Sequence, residues 1–392
     1  MRAMLRQARE LITLPPLARD ERRRDRQGLP KHDPGSAQVL AALMEWMSLA
    51  QDRSASADDG VARSFDLLRG WESSYPETTG YIVPTFLDYS ARHGRSDLRE
   101  RARRMADWLV AIQLPSGGFQ GGRIDSLPVV AVTFNTGQIL LGLAAAEAAF
   151  GGYAPAMRRA ADWLVESQDA DGCWRRHPTP FAAAGEKEYE THVAWGLFEA
   201  ARIDGTRGYG EAGLRNVHWA LRSQQVDGWL TKCCLDDPSR PLTHTIGYAL
   251  RGVLEAHRYR PDDQLLDAAR RIGDGLLRAQ GPEGQLPGRL LPGWRAAVPW
   301  VCLTGVAQVA ACWMMLFALS GDQRYVEAAF RANAFLRRTV RLDAPAEIRG
   351  GVKGSFPVDG EYGRYQYVNW AAKFFADSLI LEIDLRAQLA RA

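Results

Sequence analysis

The chain has 392 residues, 46% of them hydrophobic and 24% charged, with a formal net charge of +3. That balance is the composition of a globular protein in water, and without a basic patch interleaved with stacking aromatics no nucleic-acid partner is expected. Five cysteines, an odd number with Cys233 and Cys234 adjacent, do not make a disulfide framework and fit a reducing compartment.

In chain order, MRAMLRQARE carries no apolar core, so no secretory signal is expected. Residues 1–36 read as a basic, partly ordered arm. MLRQARELITL suits a short amphipathic helix packed across the body of the protein. A peripheral membrane or partner contact through Arg2, Arg6 and Arg9 is the alternative. ARDERRRDRQGLPKHDPGS, dense in charge with two prolines and two glycines, reads as exposed or partly ordered.

From residue 37 to 392 the chain reads as one domain of two kinds of helix. One kind, such as LRERARRMADWLVAI and APAMRRAADWLVES, sets an arginine-rich stripe beside an apolar one and belongs on the outside of a layered structure. The other kind, such as TGQILLGLAAAEAAF and TGVAQVAACWMMLFALSG, is apolar nearly all round and must be covered on every side. Six of the second kind each follow one of the first. The expected fold is all-α, an (α/α)6 toroid of six inner and six outer helices with few or no strands. The most apolar run, Val306 to Leu319, is too short to span a bilayer, so no transmembrane segment and a cytoplasmic location are expected.

A repeat sets the period. Gln113, Gln168, Gln224 and Gln280 are 55, 56 and 56 residues apart, each at the end of an outer helix and before a Gly turn. Such a period marks supersecondary units that bury their apolar faces only by stacking. The inner helices open at Thr79, Thr136, Thr191, Thr245, Thr304 and Asn369, residue types suited to N-capping. Six helix N-termini at one end of a barrel favour an anionic group, and that end is the expected site.

The residues flanking these positions are the candidate lining. From the helix starts they are Glu77 and Tyr81, Asn135 and Gln138, Glu190 and His192, His244 and Tyr248, then Asn369, Trp370 and Lys373. The loops above add Trp174 and Arg175, Asp236 and Asp237, Trp300, Lys353, Glu361 and Tyr362. Carboxylates and amides hydrogen-bond hydroxyls, and Trp and Tyr faces take the C–H face of a sugar ring.

The repeats resemble those of the terpenoid cyclase and protein prenyltransferase β-subunit superfamily, an α/α toroid. Leu164, Gln168, Gly172 and Trp174 look like its QW motif, and SGGFQGG looks like the glycine turn of the prenyltransferases. The resemblance implies a zinc-binding histidine at His244. The family's Asp and Cys at an inner-helix start are here Glu190-Thr191-His192, and its D-x-D-D and D-D-x-x-D motifs do not occur. No cofactor is therefore expected; zinc held by His192, His244 and a neighbouring acid or Cys is the alternative. The polar cup looks more like that of the sugar-processing (α/α)6 enzymes.

The leading expectation is a carbohydrate-active enzyme acting on an acidic, uronate-type glycan or sugar by removing a proton next to the carboxylate, as a C5-epimerase or lyase. His244 and Tyr248 are the candidate base and acid, with Asn135 and His192 polarising the carboxylate and Glu190 and Glu77 orienting hydroxyls. A glycoside hydrolase with a carboxylate pair from Glu77, Glu190, Asp236 or Asp237 is the nearest variant. An isoprenoid cyclase or prenyl-transferring enzyme predicts a dry cavity walled by Trp195, Phe198, Trp313, Phe374 and Phe375. A non-catalytic glycan-binding toroid predicts that His192, His244 and Tyr248 do not converge.

Overall fold

The structure, a computed structural model, describes residues 13–391. The arm's Arg2, Arg6 and Arg9 lie outside them. After a short first helix, α1 (Pro16–Arg26), the helices alternate between two rings as the two sequence patterns require. The outer ring is α2 (Ser36–Asp52), α4 (Ser96–Ala111), α6 (Ala154–Ser167), α8 (Tyr209–Leu221), α10 (Asp263–Ala279) and α12 (Gln323–Thr339). The inner ring is α3 (Pro76–His93), α5 (Thr133–Phe150), α7 (Thr191–Ile203), α9 (Thr243–Tyr259), α11 (Leu303–Ser320) and α13 (Asn369–Leu389). Each inner helix packs on the next, and α13 returns to α3 to close the ring. This is the (α/α)6 toroid.

The glutamine repeat is the clasp between units. Gln168 Nε2 donates to the Gly172 carbonyl of its own turn at 3.1 Å and to the Ala212 carbonyl of the next outer helix at 2.9 Å. Gln113 and Gln280 make the same two bonds one repeat earlier and two later. Gly172 sits at φ +98°, and a Cβ there would meet the Arg215 carbonyl oxygen at 2.4 Å. Only glycine lets the turn lie this close to the neighbouring helix.

Three expectations need correction. None of the six inner-helix Thr and Asn residues makes a side-chain cap; most of the helices begin before them. Thr79 instead accepts the Val61 N–H and donates to the Tyr75 carbonyl, both at 2.9 Å, tying the incoming loop to the first turn; Thr136 does the same for Phe119. Second, α11 is long and apolar enough to cross a membrane, although it is an inner helix between α9 and α13 and largely buried. Third, the charge of ARDERRRDRQ is not wholly solvent-facing. Glu21 and Asp25 on α1 are buried and receive Arg341, Lys353, the Tyr367 hydroxyl (2.7 Å) and the Val358 N–H (2.7 Å).

Short strands decorate the end where the inner helices begin. β1 (Ser64–Asp66) pairs antiparallel with β2 (Gly70–Trp71) and with the late β7 (Gln366–Val368). Two further two-residue pairs, β3 (Leu290–Leu291) with β4 (Arg295–Ala296) and β5 (Val301–Cys302) with β6 (Ser355–Phe356), complete the strands. The β1–β7 pairing brings Arg63 beside the first residue of α13, whose N–H donates to the Arg63 carbonyl at 3.2 Å.

Candidate active site

A cavity of about 410 Å³ opens at the end where the inner helices begin. Helix α3 contributes Glu77 and Tyr81, α5 contributes Phe134 and Asn135, α9 contributes His244 and Tyr248, and α13 contributes Trp370. Loops add Arg63, Tyr75, Tyr189 and Tyr362. Among the described residues the lining is therefore a ring of aromatics interrupted by one carboxyl, one amide, one imidazole and the guanidinium groups of Arg63 and Arg123.

His244 is the candidate base. Its Nδ1 lies 2.8 Å from Gln308 Oε1. A carbonyl oxygen accepts, so Nδ1 carries the proton and Nε2 keeps its lone pair. Burial lowers the imidazole pKa to about 4, offset in part by the Gln308 bond, so the ring is neutral at physiological pH. Tyr248 stands 4.4 Å from the His244 ring, and burial keeps its hydroxyl protonated well above the ordinary tyrosine range.

Glu77 is the carboxyl of the cavity. Burial raises its pKa to about 7 against the opposing hydrogen bond from Tyr75 and the charge of Arg63. Asn135 Nδ2 donates to its Oε2 at 3.0 Å. Arg63 lies under the Trp370 ring, 5.1 Å from the centroid, and donates to Glu72 at 2.9 Å. Trp370 in turn donates to the Tyr362 hydroxyl at 2.8 Å, which fixes both rings as one wall.

Of the residues singled out from the sequence, Glu77, Tyr81, Asn135, His244, Tyr248, Tyr362 and Trp370 meet in this cavity. The others do not. His192 lies behind it, with Nδ1 at 2.7 Å from Gln138 Oε1 and its ring 4.4 Å from that of Tyr248, so both His192 and Gln138 support Tyr248 from beneath. Glu190, Trp174 and Arg175 line a smaller pocket alongside. Asp236 and Asp237 are on an outer turn, held by Arg289 and Arg240, and Glu361 faces Arg289. Trp300 packs in a satellite cluster with Leu242 and Cys302. Lys353 is buried against Asp25 of α1. Asn369 is a strut, donating to the Ala62 carbonyl at 2.9 Å and Thr78 Oγ1 at 2.8 Å. Lys373 sits one turn deeper, paired with Asp377 at 2.7 Å, and lines a cavity at the opposite end of the toroid. These displacements share one cause. A helix start fixes position along the axis only, whereas the turn of the helix decides which side chain faces inward.

Most of the wall expected of an isoprenoid site does not form: Phe198, Trp313 and Phe375 are fully buried core and Trp195 lines the opposite end, while Phe374 packs behind the cavity on Tyr81 at 5.2 Å and Tyr248 at 5.7 Å. The rings of His192 and His244 both pack on Tyr248 at 4.4 Å, but only His244 and Tyr248 line the cavity. Among the described residues no cluster of three or more His, Cys, Asp or Glu side chains is placed to hold a metal. Sequence reasoning missed Arg63, Tyr75, Phe134 and Tyr189. Phe134 adjoins Asn135 and Tyr189 adjoins Glu190, so the flanking rule would have found them one residue further along. Arg63 arrives only through the β1–β7 pairing.

Residues 75–252 match the family model described as the squalene-hopene cyclase C-terminal domain. Among solved structures, an unsaturated glucuronyl hydrolase specific for heparin is 14% identical, with a TM-score of 0.73 over 91% of this chain and 99% of that one. A cellobiose 2-epimerase from Bacillus thermoamylovorans is 10% identical, with a TM-score of 0.71 over 90% and 98%. A D-mannose isomerase is 12% identical, with a TM-score of 0.71 over 91% and 99%. No curated protein sequence matches the chain. Both resemblances read from the sequence are present: the cyclase-type repeat, and the toroid shared with sugar-processing enzymes.

Proposed function

We propose that this protein is a carbohydrate-active enzyme that acts on an acidic, uronate-type sugar by removing the proton next to the carboxylate. The observation that carries the reading is the convergence of a neutral imidazole, a protonated tyrosine and a carboxyl whose pKa burial raises to about 7 on one aromatic-walled cavity. The fold it shares with a glucuronyl hydrolase and a cellobiose epimerase supports a sugar-sized, hydroxyl-rich ligand.

In this scheme the uronate carboxylate lies against Glu77, Asn135 and Arg63. His244 Nε2 takes the C5 proton, and the electron pair moves into the carboxylate as an enediolate. The donors there are worth most at that moment, because charge develops where they already point. Tyr248, one turn along the same helix with its ring 4.4 Å from that of His244, then supplies a proton from the same face to the departing C4 oxygen, giving an unsaturated uronate; the epimer would need a donor on the opposite face of C5. Among the described residues Glu77 is the one carboxyl lining the cavity, which disfavours two-carboxylate glycoside hydrolysis.

Incubation with uronate oligosaccharides in D2O tests this. Deuterium at C5 marks epimerisation, and ultraviolet absorbance of an unsaturated uronate marks elimination. His244→Ala should abolish either signal with the melting temperature nearly unchanged. A large loss of stability with turnover retained would make His244 a core residue and end the proposal.

A further inference from the structure

A second cavity of about 220 Å³ adjoins the first, and Phe134, Thr179 and Tyr189 line both. Two ionisable groups in it are used by nothing else. Glu190 ends the turn Glu188–Glu190 and leads into α7; it is 5% exposed, and its Oε2 has no hydrogen-bond partner. Burial pushes its carboxyl up to about 8, so near neutrality it carries a proton and presents one donor and one acceptor. Lys187, three residues earlier, is 6% exposed and donates to the Leu235 carbonyl at 3.1 Å, with no carboxylate in ion-pair range among the described residues.

A buried ammonium and a buried carboxyl are each unfavourable without a partner, and pairing them would be the simplest remedy. Here they line one pocket unpaired, which is the arrangement of a site awaiting a ligand. Trp174, locked by its Nε1 bond to the Leu164 carbonyl at 2.8 Å, supplies a fixed flat wall. Arg175 and Glu186 close the outer lip as an ion pair.

We propose that this side pocket is a second sugar subsite. It takes the unit adjoining the reacting one, with a hydroxyl on Glu190 and an anionic substituent, carboxylate or sulfate, on Lys187. The inference rests on the main cavity being a sugar site and makes the substrate an acidic glycan of at least two units rather than a free monosaccharide.

Calorimetric titration of the whole chain with galacturonic acid, digalacturonate and a sulfated heparin disaccharide tests it. The disaccharides should bind about ten-fold more tightly than the monosaccharide, a step of roughly 1.4 kcal/mol. Glu190→Met and Lys187→Met should each bring that ratio below about three-fold. Disaccharides no tighter than the monosaccharide, or a ratio that survives both substitutions, would overturn the subsite while leaving the main-cavity reading intact. If no acidic saccharide binds at all, the main-cavity reading falls and the subsite falls with it. Should Lys187→Met fail to fold, Glu190→Met, which removes the hydrogen-bonding head at similar volume, decides alone.

Discussion

His244 and Gln308 are joined at 2.8 Å between the first turn of inner helix α9 and the second turn of its neighbour α11. The amide oxygen holds the proton on Nδ1 and leaves Nε2 as the basic nitrogen, so Gln308 is a positioning residue. Gln308→Met keeps the volume but frees the tautomer. Turnover should fall about 10- to 100-fold with KM changed little, less than the roughly 10²–10⁴-fold that general acid–base catalysis contributes, because the base itself is retained. Gln308→Glu should restore the tautomer and move the acid limb of the pH profile upward, because a carboxylate favours imidazolium. A profile unmoved by Glu would show that the side chain only fills space.

The pH dependence follows from two buried groups shifted in opposite directions. His244 must be unprotonated, and its pKa is lowered to about 4, so activity falls as pH drops through 4. Glu77 must be protonated, and its pKa is raised to about 7, so activity falls as pH rises through 7. The plot of kcat/KM should be a bell between those limits. Glu77→Gln, which cannot lose a proton, should flatten the alkaline limb while the acid limb stays. An alkaline limb persisting unchanged in the Gln variant would assign it to another group.

The architecture was legible because the repeat writes it several times over. Gln113, Gln168 and Gln280 each clasp their own turn and the next outer helix, and that bond needs the same side chain at every repeat. Half of the site was legible too, since Glu77, Asn135, His244 and Tyr248 lie within two turns of inner-helix starts and line the cavity there. Lys353 and Lys373 were misplaced because charge in a sequence carries no address. Lys353 serves the buried acids of α1, from a segment that reads by composition as solvent-exposed. Arg63 was invisible because a three-residue strand has too few positions to show alternation.

The docking of α1 depends on charge buried on both sides. Lys353 and Asp25 are almost wholly enclosed, and Glu21 lies against Arg341 and Tyr367. Lys353→Met removes one cation and strands Asp25, whose carboxyl burial already pushes upward. The loss should be about 3–5 kcal/mol, the range for breaking a buried pair from one side. Asp25→Leu added to Lys353→Met should recover part of it, since no lone charge is then left inside. A double variant as unstable as the sum of its parts, judged by urea midpoints, would mean the two do not act as a pair.

Glu190 gives a separate, purely thermodynamic test. The carboxyl titrates near 4.5 in an unfolded chain and near 8 in the folded one, chiefly through burial. Between those values the folded state holds a proton that the unfolded state has released. Its contribution is therefore complete below pH 4.5 and is lost as pH rises through 8. Glu190→Gln removes the titration and keeps the shape. Wild type and variant should melt at similar temperatures at pH 4.5, and the variant should melt a few degrees higher at pH 8.5. A difference in melting temperature that stays constant across that range would show that the Glu190 carboxyl is already ionised when folded, and that Lys187 or solvent reaches it.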